Sequence, residues 1–566
     1  MYWNITVIRA GCFVLLLLQQ VLPAIWLVVD NHRGLPLDEL GVIIGASTLG
    51  LLFQASLYVL APRLLSVLAA LLCVLGAVEL WLVATLGWPL DVNVLHALTE
   101  TNAMESAELV ASLPLLPLLA HTCVVVSLAV CAWPRTWQAK PEASKAAKRT
   151  AVLCVAAISA LHVLDYWGAS VADAVSAEAP FQADAEGPAL ALRGAYPTGL
   201  PWVLSDFLVA RGELAQVAAQ VRDYRFNVPP LEPMNHRRIY VFVIGETTRA
   251  DHLGLNGYTR ATTPRLNARG VVSFSRLHSV STYTRVSVPV LLSRRPPGGG
   301  GAGFGEASIV TAFREAGLAT AWISLQAPLG FHESPVSMHA QEADIRMFLN
   351  LSDYRGSGRH DDAAIPALRE VLQQTEGRDL FVVIHLLGSH FQYVDRYPDA
   401  FSQFLPDRPR GRSAKLFDEQ DKEYLINAYD NTVLFQDAVL DGIIDVLARQ
   451  PAAESWMMYS SDHGEALFDD CRKYSGHGMA SAATQNVAAV FWASPLYASR
   501  QPRKVETLRG HADALASTAM MFETLADLGG LGVPAQRPQN SLASVPLRIP
   551  HELDGIEERE LKACPK

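Results

Sequence analysis

Charged residues are scarce in this chain, and basic residues are the minority among them. Only 18% of the 566 residues are charged, whereas a soluble globular chain carries about 25%. The formal net charge of -10 gives no overall positive field that would attract nucleic-acid phosphates. Most of the apolar excess lies in roughly the first 165 residues. The composition therefore excludes a single soluble domain and argues against a nucleic-acid partner.

Cysteine is also sparse, and the seven that occur do not form a disulfide framework. Five lie in or beside apolar runs, where they are expected to pack as small apolar residues: Cys12, Cys73, Cys123, Cys131 and Cys154. Only Cys471 and Cys564 lie in the rest of the chain. An oxidising compartment would allow one disulfide between these two. Sequence alone does not show whether they lie close enough to form it.

Five long stretches have almost no charge and predict membrane-spanning helices. Residues 10–29, 40–62 and 109–134 contain no charged residue, and residues 64–89 contain only Glu79. Each has the length of about 20 residues that a bilayer helix needs. Residues 150–164 form a shorter fifth stretch, for which an interfacial or buried helix is the alternative. For the first stretch, the alternative is a cleaved signal peptide. We predict a five-helix transmembrane domain over residues 1–169.

The distribution of basic residues predicts the orientation of these spans. The loop before the fifth span contains five basic residues, Arg135, Lys140, Lys145, Lys148 and Arg149, whereas the loop over residues 90–108 contains acids and no Lys or Arg. Because short cytoplasmic loops are enriched in Lys and Arg, the first loop is predicted to be cytoplasmic and the second external. Everything after about residue 169 then lies outside the inner membrane, in the periplasm of a Gram-negative cell.

The remaining chain predicts a linker followed by a large α/β domain. Residues 170–236 are interpreted as a linker, with a helix over residues 202–226 that lies along the membrane surface or packs on the soluble domain. Over residues 237–566, apolar runs alternate with helical stretches such as residues 423–447. The strand-like runs are residues 239–244, 319–325, 380–387, 456–459 and 487–492. This alternation predicts a mostly parallel central sheet flanked by helices.

Carboxylate and imidazole groups follow three of the predicted strands. Glu246 follows the first strand, His390 the third, and Asp462 with His463 the fourth. Functional groups of such sheets collect at the carboxyl ends of the strands, and a mixed oxygen and nitrogen set suits zinc. Each residue alone has a structural alternative, as a helix cap, a core histidine or a turn residue. Their joint position at strand ends favours a metal site.

Several motifs in register resemble the phosphoethanolamine transferases of bacterial envelopes. They are IGETTRADHLGLNGYTRATTPRL (244–266), STYTRVSVPVLLS (281–293), HLLGSHFQYVDRYP (385–398), NAYDNTVLFQD (427–437) and SSDHGEAL (460–467). The ETNAMES segment near residue 102 also resembles the family. The resemblance implies a five-span inner-membrane protein whose periplasmic domain has the alkaline phosphatase and sulfatase fold.

The resemblance also implies roles for individual residues. Glu246, Asp462 and His463 match zinc ligands, and Thr284 matches the nucleophile, which also binds the metal; Thr282 is the alternative if the register shifts by two. His390 and His477 match histidines that contact the phosphoryl group, assist proton transfer or hold a second zinc. The cofactor implied is one zinc ion, or two.

The reaction implied is transfer of phosphoethanolamine from phosphatidylethanolamine, through a covalent intermediate on Thr284, to an envelope glycan. The acceptor is the lipid A or core of lipopolysaccharide, or a periplasmic glucan. Asn102 and Glu105 are candidates for the lipid headgroup site, since an amide and a carboxylate match an ammonium group. A solvated helix start is the alternative for that cluster.

Other functions fit the sequence less well. Val280 and Val290 stand where family members that act on lipid A commonly have cysteines, which leaves the acceptor open. A phosphoglycerol transferase of the lipoteichoic-acid type is the nearest enzymatic alternative, and a non-catalytic envelope protein is the alternative from another class. A sulfatase needs a Cys or Ser that is converted to an aldehyde, which Thr284 cannot supply. The glycine-rich run over residues 296–305 lacks the GK[ST] ending of a phosphate-binding loop.

Overall fold

The part of the chain that the structure describes divides into two units. The first ends at Val209 and the second begins at Ala210. The structure is a computed structural model. It describes residues 2–30, 37–86, 89–90, 92, 94–95, 115–133, 141–175, 194–296, 304–327, 335–350, 358–469, 475–478, 480–548 and 553.

The N-terminal unit consists mainly of helices, several of them long and apolar. They are α1 (Tyr2–Gln20), α2 (Leu22–Asp30), α3 (Leu37–Leu60), α4 (Pro62–Leu86), α5 (Leu115–Ala132), α6 (Pro141–Val175) and the first part of α7 (Leu200–Asp223). Among the described residues, four helical segments are long and apolar enough to cross a membrane: Val7–Leu27, Leu40–Leu60, Pro62–Ala84 and Leu115–Ala132. Four of the five predicted spans are thus confirmed as helices of sufficient length and hydropathy. The fifth lies within α6 and stays a prediction.

The C-terminal unit contains all five predicted strands. Its strands are β1 (Arg238–Gly245), β2 (Val272–His278), β3 (Ala319–Ser324), β4 (Ile345–Phe348), β5 (Leu380–His385), β6 (Glu454–Ser461), β7 (Ala466–Leu467), β8 (Ser475–Gly476), β9 (Asn486–Ala493) and β10 (Ala516–Ser517). Its helices are α8 (Pro264–Arg269), α9 (Thr284–Leu292), α10 (Ile309–Glu315), α11 (Pro335–Ala340), α12 (Ala364–Gln374), α13 (Lys422–Ala448), α14 (Ala482–Gln485), α15 (Pro495–Arg500), α16 (Pro502–Gly510) and α17 (Met521–Gly529).

Eight of the strands form one sheet with the order β10-β2-β9-β6-β1-β5-β3-β4. The block from β6 to β4 is parallel, as predicted. Strand β9 runs antiparallel to both β2 and β6, so the sheet is mixed. Because β5, β1 and β6 are adjacent and parallel, their carboxyl ends share one edge of the sheet.

Both faces of this sheet are covered by apolar side chains. Strand β1 shows the arrangement best, because Tyr240 and Phe242 belong to one buried cluster and Val241 and Val243 to the other. The C-terminal half of α7 adds buried residues to the first cluster. This half therefore packs on the soluble domain, which was one of the two alternatives for the predicted helix over residues 202–226.

The imidazole of His278, at the end of β2, is a buried titratable group in this fold. Its Nδ1 has no hydrogen-bond partner, and burial, with a smaller effect of Arg276, lowers its pKa to about 4. The folded state thus disfavours protonation, so stability is retained above the ordinary histidine pKa of 6.5 and is lost as the pH falls toward 4.

We expect this histidine to make the protein acid-sensitive. Between pH 7.5 and pH 4.5, wild type should lose roughly 2 to 3 kcal/mol of unfolding free energy that His278→Leu does not lose, because the buried imidazole of His278 resists protonation. Denaturant unfolding of the full chain in detergent at both pH values measures this difference. An identical pH dependence of the two proteins would contradict the expectation.

Candidate active site

The predicted site residues lie where the parallel strands end. Glu246 directly follows β1, and Asp462 and His463 directly follow the neighbouring β6; the strand register pairs Gly245 with Ser461. Thr284 is the first residue of α9. The fold therefore brings together the four residues that the sequence predicted as a metal-binding set.

The hydroxyl of Thr284 lies in the middle of this set. Its Oγ1 is 3.1 Å from Oε1 and 3.2 Å from Oε2 of Glu246. It is also 3.2 Å from Nε2 of His463, which is 3.2 Å from Oε1 of Glu246. By contrast, the hydroxyl of Thr282 is buried and has no hydrogen-bond partner. The geometry thus brings Thr284, and not Thr282, to the cluster.

The polar atoms of Asp462 and His463 fit a cation. Oδ1 of Asp462 accepts hydrogen bonds from the backbone N–H groups of Thr247 and His463. Its Oδ2 is buried, accepts no hydrogen bond within the described ranges and lies 3.5 Å from Nε2 of His463. Nδ1 of His463 donates to the carbonyl of Gly464 at 2.9 Å, so Nε2 carries the lone pair of the neutral ring. With Glu246, these atoms lie within 4.8 Å of one another and have the oxygen and nitrogen chemistry that zinc prefers.

The buried charges in this cluster strongly influence one another. Burial raises the pKa of Asp462 to about 7, and the negative charge of Glu246 adds to this effect. Burial also acts to raise the pKa of Glu246, but hydrogen bonding and attraction from His463 outweigh it and hold that pKa below its ordinary value. For His463, burial is outweighed by the two carboxylates, which raise its pKa to about 10. A bound cation would stabilise both carboxylates in their charged form.

The two other predicted histidines lie beside this cluster. The ring of His477 is 4.6 Å from the ring of His463 and 6.1 Å from the ring of His390. Nδ1 of His477 is 3.0 Å from Oε2 of Glu465, whose Oε1 accepts a hydrogen bond from Tyr393. His463, Glu465 and His477 form a second group with the spacing of a metal site.

Sequence reasoning missed Glu465, although the acid of the DHGE segment was visible. It also missed the turn that holds the ligands, which is centred on Thr247. The backbone of Thr247 is left-handed, with a φ of 62°, an uncommon conformation for a β-branched residue. Its hydroxyl donates to Oε1 of Glu246, and its N–H donates to Asp462. The hydroxyl of Tyr429 donates to the Thr247 carbonyl at 2.7 Å and accepts from the Arg249 N–H at 2.9 Å. Tyr429 therefore stabilises a strained turn that orients two carboxylates.

We expect Tyr429→Phe to weaken metal binding by about tenfold, the lower end of the effect of outer-shell partners. The physical reason is that the substitution removes the two hydrogen bonds of the Tyr429 hydroxyl, to the Thr247 carbonyl and from the Arg249 N–H, while the ring and its packing remain. Zinc affinity is measured by competition with a chromophoric chelator.

Tyr497→Phe is a matched control, because the hydroxyl of Tyr497 is also buried and donates to a backbone carbonyl, that of Leu528. Both variants are expected to lose about 1 kcal/mol of stability. Equal zinc affinities of the two variants would contradict the role of Tyr429.

A glycine also shapes the site next to Glu246. Gly388 has a φ of 56°, and a Cβ added to it would lie 2.5 Å from the carbonyl oxygen of Glu246. The N–H of Ser389 donates to that same carbonyl at 2.9 Å. Any side chain at position 388 would push the backbone of Glu246 out of place.

Some predicted residues lie outside the described part of the chain. Asn102 and Glu105, the candidates for the lipid headgroup site, are among them. Cys471 and Cys564 are as well, so their pairing stays a prediction.

The sequence model of the sulfatase family matches residues 238–531, which is just over half of the chain. The chain belongs to the sulfatase family. The segment VPVLL after Ser287 has leucine where the motif of aldehyde-forming sulfatases has arginine, so membership of the sulfatase family does not imply sulfatase activity.

Within the sulfatase family, the chain is similar to phosphoethanolamine transferases, as its motifs predicted. It is 29% identical over 311 residues to phosphoethanolamine transferase EptA of Escherichia coli strain K12, which is 54% of this chain and 55% of that protein. The chain thus matches about half of the length of its curated relatives.

Two solved structures have the same fold. The integral membrane protein lipooligosaccharide phosphoethanolamine transferase A of Neisseria meningitidis matches 95% of this chain and 99% of its own, with a TM-score of 0.68 and 21% identity. The periplasmic domain of EptC from Escherichia coli, in complex with Zn, matches 57% of this chain and 92% of its own, with a TM-score of 0.50 and 24% identity. These likenesses show the fold, in which apolar helices, four of them long enough to cross a membrane, precede a sulfatase-like domain.

Proposed function

We propose that this protein is a zinc-dependent transferase that moves phosphoethanolamine from phosphatidylethanolamine to an envelope glycan. The observation that carries the proposal is the contact of the Thr284 hydroxyl with both Glu246 and His463, beside a buried oxygen of Asp462 that accepts no hydrogen bond from the described residues. The likeness to enzymes that are named as phosphoethanolamine transferases supports the group that is transferred.

In the first step, Oγ1 of Thr284 attacks the phosphorus of the donor. The bond between phosphorus and the diacylglycerol oxygen breaks, diacylglycerol leaves with a proton, and phosphoethanolamine remains on Thr284. In the second step, an acceptor hydroxyl attacks the same phosphorus and releases the threonine oxygen. Zinc bound by Glu246, Asp462 and His463 would favour the alkoxide form of Thr284 and neutralise charge on the phosphoryl oxygens.

We assign proton transfer in both steps to the two neighbouring histidines, His390 and His477. Nδ1 of His390 donates to the carbonyl of Phe391 at 2.6 Å, and Nδ1 of His477 faces the carboxylate of Glu465. In the neutral ring, Nε2 of each histidine therefore carries the lone pair. We assign to one of these atoms the proton of Thr284, which it takes up and passes to diacylglycerol. The other takes up the proton of the acceptor hydroxyl and passes it to the released oxygen of Thr284.

The acceptor that we propose is the lipid A or core of lipopolysaccharide. The lipooligosaccharide transferase named above supports this class, and a periplasmic glucan is the alternative. We assign Asn102 and Glu105 to the headgroup of the donor lipid, because an amide and a carboxylate match its ammonium.

The test uses purified full-length protein with zinc and phosphatidylethanolamine. We expect release of diacylglycerol, and a phosphoethanolamine group on lipopolysaccharide in its mass spectrum. Parallel reactions contain periplasmic glucan as the acceptor or phosphatidylglycerol as the donor. If diacylglycerol is released from phosphatidylglycerol but not from phosphatidylethanolamine, the protein is a phosphoglycerol transferase instead. Release from neither donor would overturn the proposal.

A further inference from the structure

A cavity with both polar and apolar walls lies in the C-terminal unit, built from residues that the proposed chemistry does not use. Its volume is about 440 Å³, and its walls come from the end of α7, from α10 and α11, and from β4. Three arginines line it: Arg222, Arg314 and Arg346. Helix α11 also packs against α9, the helix that begins with Thr284.

Two of these guanidinium groups are held in place by neutral acceptors. Nη1 of Arg314 donates to the backbone carbonyl of Glu342 at 2.7 Å, and its Nη2 donates to the hydroxyl of Thr311 at 3.4 Å. Nη1 of Arg346 donates to the side-chain oxygen of Gln341 at 2.8 Å. Within the described ranges, neither arginine forms an ion pair with a carboxylate. Both keep donor capacity, and their orientation lowers the entropy cost of binding a ligand.

Glu342, the single acid in the lining, does not neutralise the arginines. Its carboxylate is buried and turned into the domain, where it accepts hydrogen bonds from the N–H and the hydroxyl of Ser308 and from the hydroxyl of Thr311. Oε1, which accepts from the Ser308 N–H, is also 2.7 Å from Nδ1 of His339. Three arginines and one glutamate give the lining residues a formal net charge of +2.

We infer that this cavity binds a phosphate monoester. The planar fork of a guanidinium matches two phosphate oxygens at once, and a phosphate dianion balances the net charge of the lining. The volume is in the range of small-ligand pockets and exceeds that of a bare phosphate, so the cavity has room for the group that carries the phosphate. That group is the headgroup of a phosphorylated lipid or a soluble phosphosugar.

The test measures phosphate binding in a protein whose metal cluster has been disabled. Full-length Asp462→Ala is titrated calorimetrically with inorganic phosphate, with glucose 6-phosphate and with phosphatidylcholine vesicles that contain phosphatidic acid. Adding Arg314→Gln and Arg346→Gln is expected to weaken binding by at least tenfold, because two charge-assisted contacts are lost. The matched control adds Arg369→Gln and Arg449→Gln, which removes the same charge at exposed positions of the same unit.

Each outcome decides the inference. Weaker binding in the cavity variant but not in the control supports it, and the probe that binds more tightly, vesicle or sugar phosphate, identifies the source of the phosphate. Equal binding by both variants overturns it. If the double substitution unfolds the protein, Arg346→Lys alone serves as the variant, since lysine keeps the positive charge but lacks the planar guanidinium. Unchanged phosphate affinity of that variant would count against the inference. Because the readout is binding without the metal cluster, this result is separate from the proposed transferase activity.

Discussion

Thr284→Ala is expected to lose transferase turnover by about 10⁴-fold or more, because removal of a covalent nucleophile leaves only binding and electrostatic contributions. The same variant should show no phosphoethanolamine on the peptide that contains residue 284, whereas wild type incubated with donor alone should carry the group there. Intact-protein and peptide mass spectrometry, together with diacylglycerol release, measure both effects. Zinc affinity should change much less, since Glu246, Asp462 and His463 remain.

Thr282→Ala is the matched control for this prediction. Thr282 is two residues away and buried, and its hydroxyl has no hydrogen-bond partner that the substitution would remove. We expect it to keep near wild-type turnover, and Thr284→Ser to keep part of the activity because a primary hydroxyl replaces a secondary one. An adduct that persists in Thr284→Ala, or is lost in Thr282→Ala, would move the nucleophile to Thr282.

Asp462→Asn is expected to weaken zinc binding by more than about 100-fold, beyond the range seen for outer-shell partners. Asparagine keeps the oxygen that accepts the two backbone N–H groups, but it places an amide NH₂ where Oδ2 of Asp462 lies, 3.5 Å from Nε2 of His463. The variant should also lose the stabilisation that zinc gives wild type, about 2.7 kcal/mol at a zinc concentration of 100 times its Kd. Chelator competition and thermal unfolding with and without zinc measure the two effects.

Asp437→Asn provides the control for Asp462→Asn. Asp437 is also buried and also accepts two backbone N–H groups, those of Arg265 and Leu266, but it is a member of neither group with the spacing of a metal site that the described residues form. It should retain wild-type zinc affinity. Equal zinc affinity in Asp462→Asn and wild type would remove Asp462 from the metal set.

The main strands were predictable because each is a run of apolar residues between helical stretches. Strand β2 was missed, since Ser273, Ser275 and Arg276 interrupt its apolar pattern and its burial is uneven. Strands β4 and β10 are only four and two residues long. The direction of β9 could not be predicted, because an apolar run looks the same in a parallel and an antiparallel strand.

The site was predictable as far as it depends on strand ends. Glu246, Asp462 and His463 each follow a buried strand, and parallel strands bring such positions to one edge. The choice between Thr284 and Thr282 needed coordinates, because both threonines lie in the same motif. The support of Thr247 by Tyr429 could not be foreseen either, since the two residues are 182 positions apart and nothing local to either residue indicates the contact.

The position of β1 has a consequence for how the protein loses its site. All eight residues of β1 are buried, and it is hydrogen-bonded on both sides by parallel strands, one of which leads to Asp462 and His463. Amides in such a strand exchange with deuterium only when the whole sheet opens. The carboxylates are therefore attached to the part of the domain that is expected to exchange most slowly. Metal release on denaturation should coincide with the deuteration of β1 rather than precede it.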